Sequence, residues 1–270
     1  MTSNFLNRQI DGILGDVLEE ASGTVYMVNP ASEAIDTLVD VARAEGAPTI
    51  RVLAEDQVLK DVMTDFIVAS NAADLIEAGT LELKTTPEPG DNSMVITADR
   101  VVAIVSAGDR VGGLSTDDAE FTDAAYEAAA DRWEAAEAFN LRTPAFTTVR
   151  DTLTTDIGPT AESDFSAIID SLETARGDGD GLDEVTISLL VAARNEALLY
   201  DISKWGEDVG IASKATFSRT KTKLEDRGLI DTEKVPIDVG RPRLRLKLAD
   251  NRLRDANTGQ LASVAQSILN

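Results

Sequence analysis

Polar and basic side chains lie on one side of the segment that follows Ser213. Helical periodicity places Phe217, Thr220 and Leu224 on the inner side of this segment, and Ser213 stands where an N-cap would begin the helix. The outer side then carries Lys214, Thr216, Ser218, Arg219, Thr222 and Lys223. Amines, guanidinium groups and hydroxyls of this kind bind phosphate oxygens and base edges, so Ser213 and these six residues are predicted to contact nucleic acid.

A second basic group follows in a predicted two-stranded ribbon. The strands are expected at Thr232–Ile237 and Arg243–Leu248, joined by a turn at Asp238–Pro242. Basic residues (Arg243, Arg245 and Lys247) alternate with leucine along the second strand, which separates a basic face from an apolar face. The basic residues predicted to contact nucleic acid from this ribbon are Arg241, Arg243 and Arg245.

The helix before Ser213 completes a recognisable order of elements. Its inner face is given by Ile202, Trp205, Gly206 and Val209, and Gly210 is expected to end it. A helix, a tight turn, a second helix and a ribbon together predict a winged helix-turn-helix, whose second helix suits the major groove of double-stranded DNA.

The charge distribution supports this interpretation. The chain has 270 residues and carries 25 Lys and Arg against 48 Asp and Glu, a net charge of -23. Between Ser213 and Lys247 the balance reverses, with ten basic and five acidic residues. A local excess of positive charge is what contact with phosphate requires. The alternative is a winged helix used only to dock or dimerise proteins, without direct DNA binding.

Composition excludes several kinds of chemistry. The sequence has no Cys and no His, which excludes thiolate metal sites, imidazole ligands and His-dependent triads. No catalytic residue, metal ligand or cofactor is predicted, and chance pairs are expected among so many carboxylates. Lysine is scarce, at 8 residues against 17 Arg, which together with the acidic surface favours a halophilic cytoplasm where salt screens self-repulsion. No segment resembles a signal peptide or a membrane span.

The first 142 residues predict an α/β domain with a mixed sheet. A helix is expected at Asn4–Ala21, followed by strands at 24–28 and 49–54 that alternate with helices. A long helical stretch with a break near Ser70–Asn71 precedes three short strands, and a helix opened by Asp117–Asp118 follows them. Strand, helix, strand and helix followed by a meander indicate a mixed α/β sandwich of this kind.

Two loops of this domain are candidates for binding a small ligand. Asn29 and Ser32 lie where a strand leads into a helix, the position at which small anions bind in such sheets. Gly108 and Arg110 belong to a glycine-rich loop that offers backbone N–H groups and a guanidinium. Neither loop has the spacing of a nucleotide-binding fingerprint.

The rest of the chain divides into a linker, the winged helix and a tail. Residues 143–181 are predicted to be a helical linker, with one helix at Asp164–Arg176 and a hinge at 177–181. The hinge fails the EF-hand pattern because Leu182 and Asp183 occupy positions that need an oxygen ligand and glycine. Residues 182–250 form the winged helix-turn-helix, and 251–270 a C-terminal helix that could serve dimerisation.

Three segments resemble the TbsP family of haloarchaeal winged-helix transcriptional regulators. They are residues 1–30, 180–212 and 213–246, the last reading SKATFSRTKTKLEDRGLIDTEKVPIDVGRPRLRL. The resemblance implies a regulator of central sugar metabolism (gluconeogenesis and glycolysis) that works alongside the sugar-responsive regulator TrmB. It also implies an N-terminal domain related to the phospholipase D fold, whose His-Lys-Asp chemistry a chain without His lacks.

These observations together predict a cytoplasmic, homodimeric regulator that is not an enzyme. Its recognition helix would read a promoter operator, and its N-terminal domain would sense a metabolite such as a sugar or sugar phosphate. The alternative from another class is a metabolic enzyme with a regulatory winged helix, which a turnover screen against sugar phosphates would reveal.

Overall fold

The structure is a computed structural model that describes residues 5–87, 90, 92–108, 110–176, 182–237 and 242–269. The chain forms two compact units. Unit 1 comprises Met1–Thr64 and Asn71–Leu141, and unit 2 comprises Asp65–Ser70 and Arg142–Asn270. No helix among the described residues is both long and apolar enough to cross a membrane.

The first half of the chain alternates strands and helices. Its elements are β1 (Phe5–Arg8), α1 (Ile10–Glu20), β2 (Thr24–Val28), α2 (Ser32–Val41), β3 (Thr49–Ala54), α3 (Asp56–Val62), α4 (Phe66–Glu77), β4 (Leu81–Thr85), β5 (Met94–Ile96), β6 (Val101–Ala107), β7 (Arg110–Thr116), α5 (Ala119–Ala135) and β8 (Glu137–Ala138).

The strands of unit 1 form one mixed sheet, as predicted. Among the described residues its order is β1-β7-β6-β5-β2-β3-β4-β8. Strands β2, β3 and β4 are parallel and are joined through helices, while the other pairs are antiparallel. One face carries Tyr26, Ile96 and Val101, which pack with Trp133 of α5. Val25 and Met27 alternate with Tyr26 and are buried on the opposite face.

The sequence prediction was wrong at two helix boundaries in this half. Residues 5–8 form strand β1 on β7 instead of the first turn of a helix, since pairing at a sheet edge outweighs a weak helical pattern. The long helical stretch breaks at Met63–Asp65, and not at Ser70–Asn71. Asp65 accounts for the new start because its Oδ1 accepts a hydrogen bond from the Ile67 N–H at 2.9 Å.

The helix opened by Asp117–Asp118 is confirmed. The Asp118 carboxylate accepts from the Phe121 N–H at 3.0 Å and so caps α5. The helix ends at Ala135, because residues 137–138 pair with β4 as a short strand.

The second half is mainly helical. Its elements are α6 (Phe146–Asp156), α7 (Pro159–Ile169), α8 (Glu184–Arg194), α9 (Leu199–Val209), α10 (Lys214–Asp226), β9 (Ile230–Val235), β10 (Arg243–Leu248), α11 (Asn251–Asp255) and α12 (Thr258–Leu269). Helix α8 is central to unit 2, and every residue from Val185 to Ala193 is buried.

The segment predicted as a helical linker belongs to the core of unit 2. Two helices, α6 and α7, replace the single helix expected at Asp164–Arg176, and Pro159 at the start of α7 fixes the boundary between them. Val149, Leu153 and Phe165 are buried in the same cluster as the winged helix. The hinge at 177–181 lies outside the described residues.

Helix α12 is also part of unit 2. Leu261 and Ala265 are buried in its core, and Arg227 Nη1 donates to the Leu269 carbonyl at 2.7 Å. The apolar face of α12, which the sequence suggested for dimerisation, packs against α7 within the chain. Burying the apolar face of such a helix against its own unit is favourable relative to leaving that face exposed to water.

Candidate nucleic-acid interface

Helix α10 begins where the sequence predicts. The Ser213 hydroxyl accepts from the Thr216 N–H at 3.2 Å, which caps the helix. Gly210, with φ 94°, ends the preceding helix α9 in the left-handed conformation, and this sharp turn lets Ser213, the N-cap of α10, follow three residues later. The helix-turn-helix geometry is therefore encoded locally by Gly210 and Ser213.

The inner side of α10 is fixed by close packing on α9. Phe217 and Leu224 are buried, and the Phe217 ring lies directly against Gly206. A Cβ on Gly206 would lie 2.3 Å from two atoms of that ring, so only glycine permits this approach of the two helices. With its inner side held in this way, α10 presents its outer side at a defined angle.

Most of the predicted contact residues are on the exposed side of α10. Lys214, Ser218, Arg219, Thr222 and Lys223 are exposed, and so is Ser213. Thr216 is half-buried and belongs to the cap, since its Oγ1 lies 3.0 Å from Ser213 Oγ and accepts from Arg219 Nη2 at 3.3 Å. The structure therefore brings these side chains together on one face, with Ser213 and Thr216 also stabilising the helix start.

The ribbon has the predicted antiparallel register, with Arg243 opposite Val235 and Leu248 opposite Ile230. Leu246 and Leu248 are buried, as the alternation indicates. Arg243 is directed to α9, where its guanidinium carbon lies 4.3 Å from the centre of the Tyr200 ring and Nη1 lies 3.3 Å from Asp201 Oδ1. It thus joins the ribbon to the helix-turn-helix.

Of the other two arginines predicted to contact nucleic acid from the ribbon, Arg241 and Arg245, only Arg245 is among the described residues. Arg241 lies outside the described residues. Arg245 is half-buried and forms no ion pair with the described part of the chain. It lines a cavity of about 500 Å³ together with residues of the loops between α6 and α7 and between α8 and α9.

Carboxylates next to the basic residues are a feature that the sequence reading missed. Lys214 Nζ lies 2.6 Å from Glu207 Oε2, and Lys247 Nζ lies 2.6 Å from Glu233 Oε2. The hydrogen bond from Lys214 lowers the pKa of Glu207, and the bond to Glu207 in turn raises the pKa of Lys214. Both pairs are solvent-exposed, so they are weak and a phosphate group can replace the carboxylate.

The sequence contains a signal for one of these pairs but not for the other. Glu233 and Lys247 lie on the two paired strands of the ribbon, two residues apart in register, so the predicted ribbon already suggests that their side chains meet. Glu207 and Lys214 are separated by the helix-turn-helix corner, so only the angle between α9 and α10 brings them together.

The predicted ligand residues of unit 1 lie at the ends of strands. Asn29 has φ 50°, and its Nδ2 donates to the Gly90 carbonyl at 2.8 Å. Ser32 is exposed and is the first residue of α2, whose N-cap is Ala31 and not Ser32. Gly108, with φ 67°, is in the turn from β6 to β7, and Arg110 begins β7.

None of these four residues lines the cavity of about 520 Å³ found in unit 1. That cavity is lined by residues of α1 and of the end of α2 with its following loop, such as Gly12, Gly15 and Val41. Within the described ranges, no group of three or more acidic side chains could hold a metal ion. A ligand role for Asn29, Ser32, Gly108 and Arg110 stays a prediction.

Two family models match the chain and between them cover nearly all of it. One is described as "Transcriptional regulator TbsP-like, N-terminal" and matches residues 2–144. The other is described as "Transcriptional regulator TbsP-like, C-terminal HTH domain" and matches residues 145–266. No curated protein matches the chain.

Two solved structures are similar to about half of the chain. TrmBL2, an archaeal chromatin protein whose structure shows a novel mode of DNA binding, has 18% sequence identity and a TM-score of 0.38, and the match covers 50% of this chain and 53% of TrmBL2. The chain therefore spans about half the length of TrmBL2. NucT from Helicobacter pylori has 14% identity and a TM-score of 0.35, covering 52% of this chain and 99% of NucT.

Proposed function

The chain belongs to the family of TbsP-like transcriptional regulators, and from this premise we propose that it binds promoter operators through α10 and the ribbon β9–β10. The observation that carries the proposal is the outer face of α10. It offers Lys214, Ser218, Arg219, Thr222 and Lys223 to solvent, while Phe217 and Leu224 hold the inner face in the core. A rigid helix with exposed donors near its start suits base edges in the major groove.

Substitution of Arg219 tests this proposal most directly. Arg219 is exposed, and its described side-chain contact is the 3.3 Å hydrogen bond to Thr216 Oγ1. We expect Arg219→Ala to weaken operator binding by about 1–3 kcal/mol and to relax the preference at one operator position. Operators would first be mapped across the genome, and affinities then measured by fluorescence anisotropy. Equal loss on operator and random DNA would contradict base recognition and indicate a phosphate contact.

We also propose that unit 1 senses a small metabolite and that the regulon belongs to central sugar metabolism. The loops at Asn29–Ser32 and Gly108–Arg110 are the candidate contacts for a sugar or sugar phosphate. The test is the genomic occupancy of the protein in cells grown with and without sugar. Occupancy that is the same in both media, at promoters unrelated to sugar metabolism, would reject this part of the proposal.

A homodimer is proposed because one winged helix reads few base pairs and two-fold operators require two-fold proteins. Light scattering should report about twice the chain mass of 28.8 kDa. A monomer at micromolar concentration, with and without operator DNA, would exclude it.

A cytoplasm rich in salt is the proposed setting. The net charge of -23 places many carboxylates on the surface, and their repulsion is screened in molar salt. Stability against urea should therefore rise as KCl is increased from 0.1 M to 2 M. A stability that falls over that range would contradict the proposed setting.

A further inference from the structure

A basic cavity lies at the base of the ribbon in unit 2. It has a volume of about 550 Å³, and its described lining residues are Ala193, Arg194, Glu196, Lys247, Leu248 and Arg254. Three of these six are basic and one is acidic, whereas acidic residues outnumber basic ones almost two to one in the whole chain. The cavity therefore has the opposite charge from the molecule that surrounds it.

The two guanidinium groups are held in place by contacts that leave donors free. Arg254 Nε donates to the Leu248 carbonyl at 2.8 Å, and its Nη1 donates to Asn251 Oδ1 at 3.3 Å. Arg194 Nη1 donates to the Ala256 carbonyl at 3.0 Å, and its Nε lies 3.6 Å from Asp164 Oδ2. A guanidinium has five N–H donors, so about three on each remain for a ligand.

The charges of the three basic residues are not equally neutralised. Arg194 lies near Asp164, and Lys247 pairs with Glu233. Arg254, by contrast, forms no ion pair within 4 Å of its nitrogens with any described residue, although it attracts the Asp250 carboxylate, whose direct partner is Arg252. A cavity with one unpaired guanidinium, a second guanidinium and an ammonium matches a dianionic oxyanion such as phosphate, since guanidinium groups bind phosphate oxygens in pairs.

The position of the cavity separates it from the expected DNA contacts. Lys247 lies five residues along β10 from Pro242, a distance of about 16 Å at 3.3 Å per residue. The cavity is therefore at the base of the ribbon, and the turn that would meet DNA is at the other end. β10 also carries Arg243, whose contact with Tyr200 joins the ribbon to α9.

We propose that this cavity binds a small phosphate-bearing ligand, with Arg194, Lys247 and Arg254 as its contacts. Glu196 is then the acceptor for a hydroxyl group on the same ligand, because it is the one carboxylate among the described lining residues. A ligand at this place bridges α8, β10 and α11 and thereby stabilises the base of the ribbon. Any consequence of this stabilisation for DNA binding rests on the proposed function, whereas ligand binding itself does not.

The test is calorimetric titration of the full chain with inorganic phosphate, in KCl and without DNA. We expect saturable binding that Arg254→Gln weakens about tenfold or more, since a charge-assisted contact is lost. Arg252→Gln is the matched control, because Arg252 lies on the same helix α11, pairs with Asp250 and does not line the cavity. Titration with chloride in place of phosphate should give no saturable signal in any variant.

Operator affinity in phosphate-free buffer separates a free ligand from the DNA backbone as the source of the phosphate. The proposal expects Arg254→Gln to bind operator like the unchanged chain in that buffer. Absence of phosphate binding by the unchanged chain, or equal weakening by Arg254→Gln and Arg252→Gln, overturns the proposal. So does a loss of operator affinity in Arg254→Gln without a loss of phosphate binding, because the site would then contact DNA. Failure of operator binding in every variant would reject the proposed function alone.

Discussion

At the scale of single residues, the pairing of Lys214 with Glu207 limits how strongly α10 attracts DNA. The ammonium and carboxylate lie 2.6 Å apart, so phosphate must compete with Glu207 for Lys214. We expect Glu207→Gln to raise DNA affinity a few-fold at low salt. The slope of log affinity against log salt should steepen by about one, because one more cation becomes free to release counterions.

Asp151→Asn provides the control for this experiment. It removes the same charge from an exposed position on α6, where the carboxylate is not the ion-pair partner of Lys214. If both substitutions raised the affinity equally, the effect of Glu207 would be general repulsion from the acidic surface, and the specific competition would be excluded.

Glu184 gives unit 2 a stability that depends on pH. Burial raises the pKa of Glu184, and the neighbouring Asp183 and Asp65 carboxylates raise it further, although the backbone N–H at the start of α8 opposes them. The folded chain then holds this proton to a higher pH than the unfolded chain, so stability is lost as pH rises through the raised pKa. Glu184→Gln should therefore be more stable than the unchanged chain at neutral pH, and equal to it in acid. Urea unfolding across this pH range measures the difference.

Glu162 provides a control, because its pKa is shifted in the opposite direction from that of Glu184. The hydrogen bond from Arg150 lowers the pKa of Glu162, so its ionised form stabilises the folded chain and this contribution is lost as pH falls. Glu162→Gln should accordingly be less stable at neutral pH, with a deficit that disappears in acid. Two variants that shifted in the same direction would show that removal of any carboxylate acts alike in so acidic a chain.

At the scale of elements, the contact between α9 and α10 depends on Gly206. A methyl group there would lie 2.3 Å from the Phe217 ring, which is fully buried and has no room to move. We expect Gly206→Ala to destabilise the chain by about 1–3 kcal/mol through overpacking, and to weaken DNA binding because α10 is displaced. Urea unfolding followed by circular dichroism measures the first effect.

Gly15 in α1 is the matched control. A Cβ at Gly15 would meet Val41 at 4.0 Å, an ordinary contact, so Gly15→Ala should stabilise by up to about 1 kcal/mol through helix propensity. If Gly206→Ala were as stable as Gly15→Ala, the close approach of α9 and α10 would be refuted.

The elements that the sequence predicts well are those with a local code. Gly210 and Ser213 mark the corner of the helix-turn-helix, and the strict alternation of Arg243–Leu248 marks the second strand. By contrast, β1 and β8 exist through pairing with distant strands, which no local pattern reports. The break at Asp65 is similar, because Thr174 Oγ1 and the Ala175 N–H both donate to its carboxylate from more than 100 residues away.

The candidate interface shows the same division between local and distant signals. The exposed side of α10 follows from helical periodicity alone, so the sequence places Lys214, Arg219 and Lys223 correctly on one surface. The position of Arg243 on Tyr200 depends on how the ribbon meets α9. The basic cavity draws on α8, β10 and α11 and is likewise invisible before the chain is folded.

At the scale of the whole molecule, charge sets two demands that conflict. A net charge of -23 repels DNA, yet the chain must approach it through the segment Ser213–Lys247, which carries ten basic residues against five acidic ones. Salt relieves the repulsion but also weakens attraction to phosphate, since the Debye length falls from about 30 Å at 0.01 M to about 3 Å at 1 M. Binding in concentrated salt must then rely on short contacts and on correctly positioned elements, for which arginine is better suited than lysine.

Substitutions of Arg243 and Arg241 distinguish the positioning of the ribbon from direct contact with phosphate. Arg243 stacks on Tyr200 and contacts Asp201, so it positions the ribbon, whereas Arg241 belongs to the turn predicted from the sequence and lies outside the described residues. Lysine at 243 keeps the charge but loses the planar stack, worth about 0.5–1 kcal/mol at an exposed site. We therefore expect Arg243→Lys to weaken operator binding about two- to fivefold at every KCl concentration, because a displaced ribbon is not corrected by stronger long-range attraction.

Arg241→Lys should behave differently if Arg241 contacts phosphate directly. It should bind poorly in molar KCl, where the geometry of the hydrogen bonds decides, and recover as salt is lowered and point-charge attraction returns. Operator affinities of both variants, measured by anisotropy from 0.1 M to 2 M KCl, give the comparison. If Arg243→Lys recovered at low salt as fully as Arg241→Lys, its guanidinium would act on DNA, and the contact with Tyr200 would not control the ribbon.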